Sequence, residues 1–103
     1  MPELIRLCAV SDVPAGTGRE LSAGGRVVAV FNVDGVLYAL SDVCSHGQAS
    51  LSEGRLSGYS VTCPLHGARF DVRTGEALGL PATVPVVTFL VEVEDGQVLV
   101  TIP

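Results

Sequence analysis

Two short arms, Cys44-Ser45-His46 and Cys63-Pro64-Leu65-His66, constrain this chain more than any other feature. Each carries one thiol and one imidazole, and the 16 residues from Gly47 to Thr62 suffice for a loop, a turn and a short returning strand. In an extended segment side chains alternate faces, so Cys44 and His46 point the same way. Cys63 and His66 do the same from a tight turn, where Pro64 has a fixed φ and no amide hydrogen to satisfy. Gly47 and Gly67, each directly after a histidine, permit positive φ and a close backbone approach. The chain has two histidines and both lie in this pattern. Four donors can therefore converge on one site.

Zinc also accepts two cysteines and two histidines, but structural zinc sites usually pair like ligands within an arm, Cys-x-x-Cys followed by His-x3-His. Mixed arms favour iron and sulfide. A Cys63/His66 nucleophile and base would need a third orienting group and a substrate pocket, and the sequence offers neither.

The pattern resembles the Rieske family of iron-sulfur proteins, whose [2Fe-2S] centres place two histidines on one iron. The likeness extends to CSHGQA in the first arm, LSEG at residues 51 to 54, and Gly67 and Phe70 after the second arm. Leu80, Pro81 and Ala82 stand where the family has a proline-containing loop over the cluster. Within the family, the likeness is to the soluble ferredoxins that serve bacterial aromatic-ring dioxygenases. It implies one [2Fe-2S] cluster per chain, ligated by Cys44, His46, Cys63 and His66. Gly47, Gln48, Leu65, Gly67, Ala68, Phe70 and Pro81 would surround it, with the amides after the histidines as candidate donors to sulfur. Formal charge explains the imidazoles: with two thiolates the oxidised centre is neutral, with four it carries two negative charges, and a neutral centre accepts an electron more readily. High-potential members add a cysteine in each loop and Ser and Tyr hydroxyls donating to sulfur. The matching residues here are Ala49, Leu65, Ala68 and Phe70, which implies a potential near the low end of the Rieske range, about -150 mV.

At 103 residues the chain is expected to form one domain, residues 1–103, with no room for a separate catalytic domain. A net charge of -5 and a pI near 4.7 oppose binding to phosphate backbones, and the absence of Trp leaves little stacking surface for nucleic acid. A partner with a basic face suits such a surface better. Cys8 is the third cysteine; it sits in an apolar stretch and is expected to be a small buried hydrophobe. With the other two in the arms no intramolecular disulfide remains, as expected of a cytoplasmic protein. The start, MPELIRLC, lacks the basic and apolar regions of a signal peptide. No apolar stretch approaches the length of a membrane span, the segment from Val84 to Val91 being interrupted by Pro85 and Thr88.

Strand signals dominate the rest. Leu4 to Val10 reads as a first strand, Arg19 to Leu21 as a short edge strand, and Val27 to Val33 as a buried β-branched run. Asp34-Gly35 predicts a type I′ hairpin returning through Val36 to Leu40, which delivers Ser41, Asp42 and Val43 to the first arm. Ser50 to Gly54 suggests a helical turn or loop, Arg55 to Leu56 a short strand, and Tyr59 to Thr62 and Ala68 to Val72 strands flanking the second arm. Leu78 to Pro85 should be irregular. Val87 to Val93 alternates as one strand, turns at Asp95-Gly96 and pairs with Val98, Val100 and Ile102. The expected fold class is therefore all-β, an antiparallel sandwich-like base from which the two ligand loops project as a small cluster-binding subdomain, about residues 42–83. A three-sheet arrangement is what the Rieske resemblance adds.

The resemblance further implies a one-electron carrier, not an enzyme, moving electrons from an NAD(P)H-dependent flavoprotein reductase to a terminal aromatic-ring dioxygenase, with transient partners and no membrane. Two competing readings are the small Rieske-like subunit of an assimilatory nitrite reductase and a zinc-stabilised interaction module.

Overall fold

A computed structural model describes residues 2–43, 49–64, 67–79 and 84–103. Among these residues the chain forms eleven strands and two 3-10 turns, with no α-helix. The strands are β1 (Glu3–Ala9), β2 (Gly18–Ala23), β3 (Arg26–Val33), β4 (Val36–Ser41), β5 (Arg55–Ser57), β6 (Ser60–Thr62), β7 (Arg69–Asp71), β8 (Ala77–Gly79), β9 (Thr88–Phe89), β10 (Val91–Glu94) and β11 (Gln97–Ile102). They build three antiparallel sheets, ordered β1-β11-β10, β2-β3-β4-β9 and β5-β6-β7-β8.

The middle sheet carries the design. Its strand β3 is buried almost throughout because it lies between two cores. Val28 and Val30 face a base core with Val13, Leu37, Ala39, Phe89, Val98, Val100 and Ile102. Ala29, Phe31 and Val33, on the alternate face, enter a second core with Leu40, Leu51, Val61, Cys63, Ala68, Phe70 and Val72. That double burial is why Val28 to Phe31 reads as an unbroken apolar run instead of alternating with polar residues. Asp34 and Gly35 take φ of 51° and 91° between the paired Val33 and Val36, and Asp95 and Gly96 take 50° and 73° between Glu94 and Gln97. Positive φ at both central positions is what a type I′ turn demands, so both hairpins form where the Asp-Gly pairs predict them.

Two expectations fail. The alternating segment Val87 to Val93 is not one strand: Thr88–Phe89 pairs with β4, whereas Val91–Glu94 pairs with β11 in another sheet. Leu90 marks the crossing and is exposed, while its carbonyl accepts a hydrogen bond from Thr101 N at 3.0 Å. A period of two fits either sheet equally well, so the pattern carries no sign of the switch. The irregular segment expected from Leu78 to Pro85 begins too early, because Ala77–Gly79 is β8, paired to β7. β2 is also longer than the short strand expected, and it does lie at a sheet edge. Cys8 is buried in the base core, as its apolar surroundings indicate.

Candidate metal centre

The roots of the two arms leave the fold from different sheets, and Leu51 beyond the first and Cys63 in the second lie in one core. The first leaves β4 through Ser41, Asp42 and Val43, and the chain re-enters at Ala49 and Ser50. An isolated antiparallel bridge between Val43 and Ser50 closes it, and Leu51 N donates to the Asp42 carbonyl at 2.7 Å. The second is the tip of the β6–β7 hairpin, where Cys63 N donates to the Ala68 carbonyl at 2.6 Å. Cys63 is 1% exposed, and Ala68 and Phe70 beside it are fully buried. Gly67 has φ 73°, and among the described residues no atom lies within 4 Å of where its Cβ would stand. Only glycine adopts that conformation without strain.

Asp42, absent from the sequence-predicted site, proves central to the first arm. Its buried carboxylate accepts Ser52 N–H at 2.9 Å through Oδ1 and the Ser50 hydroxyl through Oδ2. The only sequence signal was an acidic residue two positions before a cysteine, with serines eight and ten positions further on. Within the cluster-binding sheet, Asp71 accepts Arg73 Nε at 3.1 Å and Nη2 at 2.9 Å, and Arg73 stacks over the Tyr59 ring at 3.9 Å. The Arg73 guanidinium holds the Asp71 carboxyl below its ordinary range. That group staples the turn into β8.

Of the four proposed ligands, Cys63 is described; Cys44, His46 and His66 lie outside the described residues, as do Gly47, Gln48, Leu65 and Pro81. Among the described residues no three His, Cys, Asp or Glu side chains gather as a metal site. The described frame nevertheless fits an iron-sulfur centre: a cysteine buried at a hairpin tip, an apolar wall of Leu51, Ala68 and Phe70, and a glycine leaving room for backbone approach. A dry wall of this kind also limits access of water to the metal.

An antiparallel three-sheet domain with two such loops at one core defines an iron-sulfur protein of the Rieske class. The chain belongs to the Rieske [2Fe-2S] family: the model of the Rieske [2Fe-2S] domain matches residues 3–98. It is 48% identical over 100 residues to the 3-phenylpropionate/cinnamic acid dioxygenase ferredoxin subunit of Escherichia coli, covering 96% of this chain and 93% of that protein. The Sphingomonas yanoikuyae B1 ferredoxin superposes with a TM-score of 0.93 at 36% identity, over 98% of this chain and all of that one. A chain in the complex of reduced oxygenase and oxidised ferredoxin of carbazole 1,9a-dioxygenase superposes with a TM-score of 0.89 at 45% identity, over 94% of this chain and 91% of that one. The cofactor of the family is a [2Fe-2S] cluster, and the chain is an electron-transfer component, not a catalyst. Among the described residues no helix is long and apolar enough to cross a membrane.

Proposed function

We propose that this chain is a carrier of single electrons from an NAD(P)H-dependent flavoprotein reductase to the terminal oxygenase of an aromatic-ring dioxygenase, working in the cytoplasm. The observation that carries this reading is the 48% identity, across nearly the whole chain, with a dioxygenase ferredoxin subunit. That likeness favours the dioxygenase role over a nitrite reductase subunit, and the Rieske family match stands against a zinc module. The whole chain, residues 1–103, is taken as one domain, with the cluster-binding subdomain at about 42–83.

Cys44 and Cys63 would hold one iron, and His46 and His66 the other. When bound, the cluster supplies a reversible one-electron step at the iron carrying the imidazoles. The chain's own part is to keep Cys63 dry within the apolar core, to let backbone amides near Gly47 and Gly67 approach sulfur, and to hold both arms at one end of a small domain. Gln48 and Pro81 would form the rim beside the histidines, where reductase and oxygenase dock in turn through a small interface of the size usual for electron transfer. Leu65 would shape the second loop.

Purified protein should be red-brown, with iron and acid-labile sulfide near two of each per chain. In a reconstituted system it should restore electron flow from a flavoprotein reductase to an aromatic-ring oxygenase, and Cys44→Ser should prevent cluster assembly. Zinc at one per chain without sulfide would refute the cofactor reading. Tight co-purification with a large nitrite-reducing subunit, and no support of oxygenase turnover, would refute the partner reading.

A further inference from the structure

We propose that Asp42 and the 3-10 turn Leu51–Glu53 form a positioning element that sets the spacing between the two ligand arms. This rests on the proposed assignment of Cys44, His46, Cys63 and His66 as ligands. Asp42 is 2% exposed and sits two residues before Cys44. Its N–H donates to the Val27 carbonyl at 3.0 Å, which fixes it to β3. Its carbonyl accepts Leu51 N–H at 2.7 Å, its Oδ1 accepts Ser52 N–H at 2.9 Å, and its Oδ2 accepts the Ser50 hydroxyl. Ser50 Oγ and Ser52 Oγ are themselves 2.9 Å apart. The three contacts of Asp42 with Ser50, Leu51 and Ser52 join the residue entering the first arm to the residues leaving it.

The same turn reaches the second arm. Leu51 is fully buried in the core that contains Cys63, Ala68 and Phe70. At the end of the turn Gly54 has φ -78° and ψ 164°, a conformation open to any residue. Glycine is nonetheless required there, because a Cβ would stand 2.1 Å from the carbonyl oxygen of Thr62, the residue directly before Cys63. Sequence position would not reveal this, since nothing in LSEG names Thr62. The turn therefore touches the root of each arm, through a carboxylate on one side and a bare backbone approach on the other. A buried carboxylate is costly to desolvate unless its acceptors are filled. Both oxygens of Asp42 are filled by donors from one short segment, so what the carboxylate supplies is fixed geometry. Loosening either contact should change the arrangement of the ligands before it unfolds the domain.

The test uses holoprotein and reads the EPR spectrum of the reduced form together with the rate at which an iron chelator bleaches the visible absorption. Asp42→Ala leaves the Ser52 amide without its acceptor; losing a hydrogen bond to a buried charged group should raise the bleaching rate about 10-fold and shift or broaden the g-values. Gly54→Ala should displace Thr62 and disturb the g-values at least as much. Asp42→Asn keeps an oxygen for Ser52 and should lie nearer the wild type. Asn32→Ala is the control: the Asn32 side chain bonds to the Val13 carbonyl and the Gly35 amide, neither of which belongs to an arm. It should lower the melting temperature and leave the spectrum and bleaching rate unchanged. Wild-type spectra and rates in Asp42→Ala and Gly54→Ala, or equal effects from Asn32→Ala, would overturn the proposal. Should those two variants fail to fold, Ser50→Ala, which removes the donor to Oδ2, carries the comparison, and wild-type behaviour in it overturns the proposal equally. Cluster assembly in Cys44→Ser would instead defeat the ligand assignment, an outcome read separately from the Asp42 series.

Discussion

The base and the cluster-binding sheet are built to different standards. In the base, β1, β3 and β11 are six to eight residues long, and their core is filled by Val28, Val30, Val98, Val100 and Ile102. In the cluster-binding sheet every strand has three residues, and its core is completed by Ala29, Phe31, Val33 and Leu40 borrowed from β3 and β4. Isolated short strands are marginal in water, so this half depends on its neighbour and on what its arms hold. The difference separates two tasks. One half supplies the folding free energy, and the other holds ligands in a geometry that metal binding completes.

Removing the metal should break the symmetry between the halves most visibly. Because ligand binding to a metal is folding free energy for the part that carries the ligands, iron removal should speed amide exchange in Ser60–Thr62 and Arg69–Asp71 roughly 100-fold. Amides of Val28 to Val33 and Val98 to Ile102 should keep their protection. Hydrogen exchange on apo and holo protein measures both at once. Uniform loss across the three sheets would mean that the base has no stability of its own.

How far the sequence discloses each half follows the same division. The base was legible where its signals are local: Asp34-Gly35 and Asp95-Gly96 mark the tight turns, and the β-branched run at 27–33 marks the central strand. It was illegible at Leu90, where one alternating segment serves two sheets, because choice of partner is a tertiary matter. In the cluster-binding half the ligand types stood out through Cys and His chemistry, and the small strands on either side of the second arm were placed to within a residue or two. β8 was hidden by Gly79 at its end and by the prolines that follow it. Asp42 and Gly54 were hidden for another reason. Their roles lie in contacts with Ser52 and Thr62 across a turn, and no propensity or spacing rule encodes a carbonyl 2.1 Å from an absent Cβ.

The apolar wall of the cluster-binding core gives the next comparison, of chemistry instead of stability. Ala68 and Phe70 are fully buried beside Cys63 and offer no hydroxyl. A more negative, reduced centre gains from each added donor. The midpoint potential should therefore lie near the low end of the Rieske range, about -150 mV, and both Ala68→Ser and Phe70→Tyr should raise it. Voltammetry of the three proteins decides this. A clearly positive wild-type potential, or unchanged potentials in both variants, would show that the hydroxyl positions carried over from the family do not face sulfur here. The matching polar change in the base, Val100→Thr, should leave the potential unchanged while lowering stability.

Cys8 isolates the base with the smallest expected effect. Its thiol lies in the base core beside the β1–β11 pairing, where Cys8 faces Val98. Burial pushes its pKa above the ordinary 9.0, and Asp12 adds to the rise, with Arg19 and Arg6 opposing. In the unfolded chain the thiol ionises near its ordinary value, so the thiolate favours unfolding once the pH exceeds about 9. The stabilisation associated with Cys8 is thus complete below that pH and is lost progressively as pH rises toward the higher folded value. Cys8→Ala removes the titration while keeping a small apolar group, at a cost of about 1 kcal/mol or less. Thermal melts of wild type and variant should run parallel from pH 7 to 9 and converge above it, since the wild type alone loses the Cys8 contribution. Cys44 and Cys63 are common to both proteins, so their titration cancels in the difference. A gap that widens with alkalinity would show that the thiol ionises more easily in the folded base than in the unfolded chain, and that the base core is open to water at β1.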